Sequence, residues 1–136
     1  LRRGGRIPSS GATAGSKLDL KPLLAFDLNG KLTLVGAAHG RKKGVKQLAA
    51  SFAKNRAEGE RVVLVGNADC AKDANRLVEL LLKEDESLTV VIHTVGATIG
   101  SHVGAGMISV SFWGPDRRES ISMADRIANK VRAARN

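Results

Sequence analysis

Two apolar, β-favouring runs at 22–28 and 31–37 flank the pair Asn29-Gly30. Asn-Gly between such runs predicts a hairpin, because both central positions of a type I′ turn take positive φ. The period then changes. Val45, Leu48, Ala49, Phe52 and Ala53 recur at i, i+3, i+4, i+7 and i+8, which predicts a helix over 41–57 with one apolar stripe. A Val-rich run at 61–66 predicts a buried strand. Ala74, Leu77, Val78 and Leu81 mark the stripe of a second helix over 70–83, with Asp69 as its expected N-cap. Strands are predicted at 88–95 and 107–113, the latter stopped by Gly114-Pro115. A final helix is predicted over 120–134, with Ile121, Ala124, Ile127, Ala128 and Val131 facing inward. Residues 1–16, rich in Gly and Ser, read as loop. The order β-β-α-β-α-β-β-α predicts an α/β fold: a two-layer sandwich of a mixed sheet of about five strands with helices packed against it.

The chain is organised around the stretch 96–112, GATIGSHVGAGMISVSF. Gly96, Gly100, Gly104 and Gly106 surround the single His102. Glycine serves where backbone takes positive φ or approaches something closely, and a Gly-filled strand interior marks a bulge or a ligand contact. The stretch therefore reads as a tight crossover between two strands that presents His102. An imidazole there can hydrogen-bond an anionic or carbonyl group, although a histidine in such a turn more often bonds nearby backbone.

Composition narrows the class. The chain has 136 residues, 43% of them hydrophobic and only 3% aromatic. That length suits one domain with a real core, and the core must be built from Leu, Val, Ile and Ala. No apolar run approaches the roughly 18 residues of a membrane span. Cys70 is the only cysteine. With no leader-like apolar segment in view, it sets the expectation of a cytoplasmic protein. Three His and one Cys show no metal-ligand spacing, so no metal is expected. His93 lies among apolar strand residues and reads as a core or edge histidine. Asp69 and Asp73 share a helix face and read as a cap and a surface charge. The net charge of +9 favours anionic partners, but the basic residues are scattered and not interleaved with aromatics, which argues against a nucleic-acid groove.

Five segments carry a further signal. LRRGGRI at 1–7, LDLKPLL at 18–24, NGKL at 29–32, GRKK at 40–43 and the GATIGSHVGAG turn stand in this order. Together they resemble the DegV family, the bacterial fatty-acid-binding proteins, over residues 1 to about 113. The resemblance implies that 1–114 is the C-terminal lipid-binding domain of a two-domain protein. Residues 1–16 would then be the linker from an N-terminal domain, and 115–136 a helix packed on or extending from the C-terminal domain. The function it implies is that of a carrier with no catalytic residues and no cofactor. Such a carrier holds a long-chain fatty acid while a separate fatty acid kinase subunit phosphorylates the carboxylate.

By the same resemblance His102 contacts the carboxylate at the mouth of the tunnel, with Ser101, Gly104 and Gly106 shaping the pocket. An apolar tunnel would take the tail, at about 0.8 kcal/mol per buried methylene. An arginine common in relatives before the GRKK segment is His39 here, so His39 or Arg41 must serve the headgroup. Arg3, Arg6 and Lys42 are candidates for contact with a phosphate or an acidic partner. Arg41, Lys42 and Lys43 sit at a helix start, where the dipole disfavours cations; that mismatch weighs towards a role for them.

Two other classes stay open. Distant relatives of the fold use a histidine to hold a hydroxyketone or to accept phosphate, which would make His102 a nucleophile in an enzyme. A basic nucleic-acid-binding module would show a steep salt dependence. For the domain on its own, an exposed apolar face would favour dimerisation.

Overall fold

A computed structural model of the chain describes residues 19–116. The expected loop at 1–16, Arg3, Arg6 and the helix expected over 120–134 lie outside the described residues.

Strands β1 (Leu20–Phe26) and β2 (Leu32–His39) pair antiparallel as the expected hairpin. The turn differs from the type I′ reading. Gly30 has φ 74, but Asn29 is not left-handed. Asp27 N–H donates to Lys31 O at 2.8 Å, and Gly30 N–H donates to Asp27 O at 3.1 Å. The Asp27 carboxylate also accepts from the N–H groups of Asn29 (2.8 Å) and Lys31 (2.9 Å). This carboxylate organises a three-residue loop with only its last position left-handed.

Gly40, with φ 79, leads directly into helix α1 (Arg41–Asn55). Strand β3 (Val62–Asn67), helix α2 (Ala71–Glu84) and strand β4 (Thr89–Thr94) form a β-α-β unit, with β3 and β4 parallel. Helix α3 (Ala97–Val103) then leads to β5 (Ile108–Phe112), which runs antiparallel on the other side of β3.

The α/β class and the strand count follow the expectation, but the strands are divided. β1 and β2 form one sheet, and β4-β3-β5 form a second. Helix α1 packs on both the hairpin and β5 and so bridges the two sheets. At Gly44 the approach is close: a Cβ there would lie 3.8 Å from Ala38 Cβ. The hairpin is held to the rest of the fold through a helix rather than a strand ladder.

The core lies between the α1/α2 pair and one face of the three-stranded sheet. Val45, Phe52, Val63, Val65, Ala74, Leu77, Leu81 and Leu88 form it, with Val90, Ile108, Val110 and Phe112 packed at its edge. Phe52 and Phe112 meet edge-to-face, centroids 5.1 Å apart. The expected stripes hold for Val45, Phe52, Ala74, Leu77 and Leu81, whereas Ala53 is exposed. Arg56 stacks 5.3 Å above the Phe52 ring and donates to Asp85 at 2.7 Å, so the ends of α1 and α2 are tied together.

Register assigns the opposite face of this sheet. Leu64 of β3 lies beside Val91, and Gly66 beside both His93 and Ser109. Among the described residues no helix covers this face, and Leu64 and Val91 are 40% and 45% exposed.

Candidate functional site

The carboxyl ends of β3 and β4 and the amino end of β5 converge on one edge of the sheet. In open α/β folds this is the edge at which ligands are received. Three short connections meet there, and Asn67 and its neighbours lock them. Asn67 is 6% exposed. Its amide donates to His93 O at 3.3 Å, and its side-chain oxygen accepts from Cys70 N–H at 3.3 Å. Val95 N–H donates to Asn67 O at 2.8 Å. Gly106 N–H donates to Ala68 O at 2.6 Å, and Ala68 N–H donates to Met107 O at 2.9 Å.

The expected N-cap at Asp69 is not formed. Cys70 takes the cap position of α2, and Asp69 is left-handed at φ 54. The chain must swing out of β3 before the helix starts, and the Asn67 side chain supports that swing. The Cys70 thiol donates to Met107 O at 3.1 Å, so its part here is structural.

The glycine-rich crossover is also different from its sequence reading. Residues 97–103 are the helix α3, with Gly96 at one end and Gly104 at the other. Gly100 N–H donates to Gly96 O and Gly104 N–H to Gly100 O, both at 2.8 Å. The glycines act mainly as end signals; Gly104 and Gly106, at φ 81 and 86, make the turn into β5. His102 lies in the last turn of α3, exposed, and among the described residues its ring makes no hydrogen bond. Ser101 is exposed too, but its hydroxyl donates to Thr98 O at 2.8 Å. It must rotate before it can donate to anything else.

Arg41 is the candidate that tertiary structure brings to this turn. Its Nη1 lies 3.5 Å from the point a Cβ on Gly106 would occupy. Its Nε donates to Asp73 in the first turn of α2. Its Nη2 is buried with no hydrogen-bond partner. Asp73 is therefore not the free surface charge expected from the sequence. Helix α1 begins with three cations and has no acid in its first turn, an arrangement the dipole disfavours.

The other candidates are not gathered at Arg41. His39 is exposed at the end of β2, in register with Leu20, and Lys42 is exposed on α1. His93, expected at a core or edge position, is exposed on the edge strand β4 and leans over Gly66 toward Ser109. No cluster of three His, Cys, Asp or Glu suited to a metal ion occurs among the described residues. Nor is any helix among them long and apolar enough to cross a membrane.

Comparison with known proteins decides the family. A family model described as an uncharacterised protein of the DegV family matches residues 1–114. The chain belongs to the DegV family. A DegV domain-containing protein of Clostridium perfringens is 36% identical over 115 residues, a stretch that covers 84% of this chain and 40% of the relative. A second from the same organism is 35% identical over 111 residues, covering 82% and 40%. The chain thus spans about 40% of the length of the curated relatives it matches.

Among solved DegV structures, the fatty acid binding protein of Streptococcus agalactiae aligns with a TM-score of 0.69 at 29% identity, over 79% of this chain and 38% of that one. A DegV protein of Eubacterium eligens loaded with heptadecanoic acid aligns with a TM-score of 0.73 at 19% identity, over 85% and 41%. The fatty acid kinase B3 protein of Streptococcus pneumoniae, loaded with linoleic acid, aligns with a TM-score of 0.71 at 18% identity, over 82% and 39%. At those last two identities the likeness is one of fold.

Proposed function

We propose that this chain is the C-terminal part of a cytoplasmic carrier that holds a long-chain fatty acid by its carboxylate. The Arg41 guanidinium carries the reading: it stands at the Gly104–Gly106 turn with one nitrogen buried and unpartnered. A buried N–H without an acceptor is costly, and a carboxylate is the kind of group that satisfies it with a charge-assisted bond. The 29% identical DegV structure from Streptococcus agalactiae, which is of a fatty acid binding protein, supports the same ligand class.

On this reading His102, exposed beyond the turn, gives the carboxylate a second donor. Ser101 gives a third after rotation, Gly104 and Gly106 let the headgroup approach the backbone, and His39 stands in reserve at the end of β2. Arg3, Arg6 and Lys42 are the proposed contacts for a fatty acid kinase subunit, which performs the phosphoryl transfer; this chain binds and orients. An N-terminal domain completes the pocket.

Equilibrium binding of oleate to the full-length protein tests this. We expect His102→Ala and Arg41→Ala each to weaken binding by about tenfold or more, the worth of one charge-assisted hydrogen bond. Unaltered affinity in both variants would overturn the assignment of this turn as the headgroup site.

A further inference from the structure

Arg41 occupies an unfavourable place. It is the first residue of α1, where the helix dipole is positive, and no acid stands in that first turn. The acid is supplied across the fold by Asp73, in the first turn of α2, where a carboxylate is favoured. The pairing is one-sided. Asp73 takes the Arg41 Nε, whereas Nη1 lies against Gly106 and Nη2 is buried without a partner. Arginine–carboxylate pairs are frequently made through two parallel N–H groups. Here the grip is on the inner nitrogen, and the buried Nη2 is left without an acceptor.

We propose that Asp73 is a positioning residue for anion binding: by taking Nε it fixes the guanidinium so that its Nη edge serves an anionic headgroup at the Gly104–Gly106 turn. The proposal rests on the fatty-acid reading above and adds a residue to it. Asp73 touches no ligand in this scheme. It is itself an anion near an anion site, so charge alone and geometry alone predict opposite effects for its removal. By Coulomb's law, deleting a negative charge strengthens carboxylate binding. If Asp73 acts by orienting Arg41, deleting it weakens that binding.

The test uses delipidated full-length protein, oleate, and oleyl alcohol as an uncharged ligand of the same chain length. Asp73→Ala is expected to weaken oleate binding about tenfold and to leave oleyl alcohol unchanged. Asp73→Asn, which keeps an acceptor for Nε, is expected to restore most of the oleate affinity. In an Arg41→Lys background, which lacks Nε, Asp73→Ala is expected to add no further loss. Oleate binding by Asp73→Ala at or above the wild-type level would overturn the role. So would an equal loss of oleate and oleyl alcohol, since that marks a general defect of the fold. Should Asp73→Ala not fold, Asp73→Ser provides the same contrast. Wild-type protein that takes up neither ligand would instead overturn the fatty-acid reading itself.

Discussion

Ser109 and Gly66 pair in register across β5 and β3, and the Ser109 hydroxyl occupies the space a side chain on Gly66 would need. A Cβ on Gly66 would stand 2.6 Å from Ser109 Oγ and 3.0 Å from His93 Nε2. Both neighbours lean over the central strand from its two sides. Gly66→Ala must push both aside, at about 1–2 kcal/mol. Adding Ser109→Ala should recover most of the loss, because the closer of the two contacts goes. Denaturant midpoints of the single and double variants measure this.

Gly104 and Gly96 bracket α3 but differ in what they require. Gly104 has φ 81 and ψ 165, a region open essentially to glycine alone, and nothing lies within 4 Å of its missing Cβ. Gly96 has φ −62 and ψ 159, which any residue adopts. Gly104→Ala should therefore cost about 1–3 kcal/mol through the backbone alone. Gly96→Ala should change stability by less than about 0.5 kcal/mol. A pair of thermal melts distinguishes them, and equal effects would contradict the turn geometry.

Asp85 gives a pH dependence of known sign. The Ser87 hydroxyl, then Arg56, hold its carboxyl down from 3.8 to about 2. A group depressed in the folded state stabilises fully above its unfolded pKa, and that contribution is lost as pH falls through the folded value. Stability should fall between pH 4 and about 2, with the Asp85 contribution removed in Asp85→Asn. Denaturation midpoints against pH check this: the acid limb of the variant should be shallower than that of the wild type.

Much of the fold is visible in residue order because the burial pattern is local. The stripe Ala74, Leu77 and Leu81 and the alternating Val63 and Val65 repeat at the periods of the elements they form. The site is less legible. α3 was hidden because glycines at 96, 100 and 104 suggest a turn by composition, while the bonds from Gly100 to Gly96 and from Gly104 to Gly100 close a helix. The cap at Asp69 failed because Asn67, two residues earlier, supports the chain as it leaves β3. Asp73 was misread because its partner lies 32 residues away on another helix, and no period along the chain relates the two. The split into two sheets bridged by α1 is a matter of which elements meet in space, which strand patterning does not encode.

The most direct test of the carrier assignment is native mass spectrometry of the full-length protein as purified, followed by organic extraction. One long-chain fatty acid per protein is expected, depleted in Arg41→Ala and His102→Ala. A full-length protein that is empty as purified and refuses added oleate would contradict it.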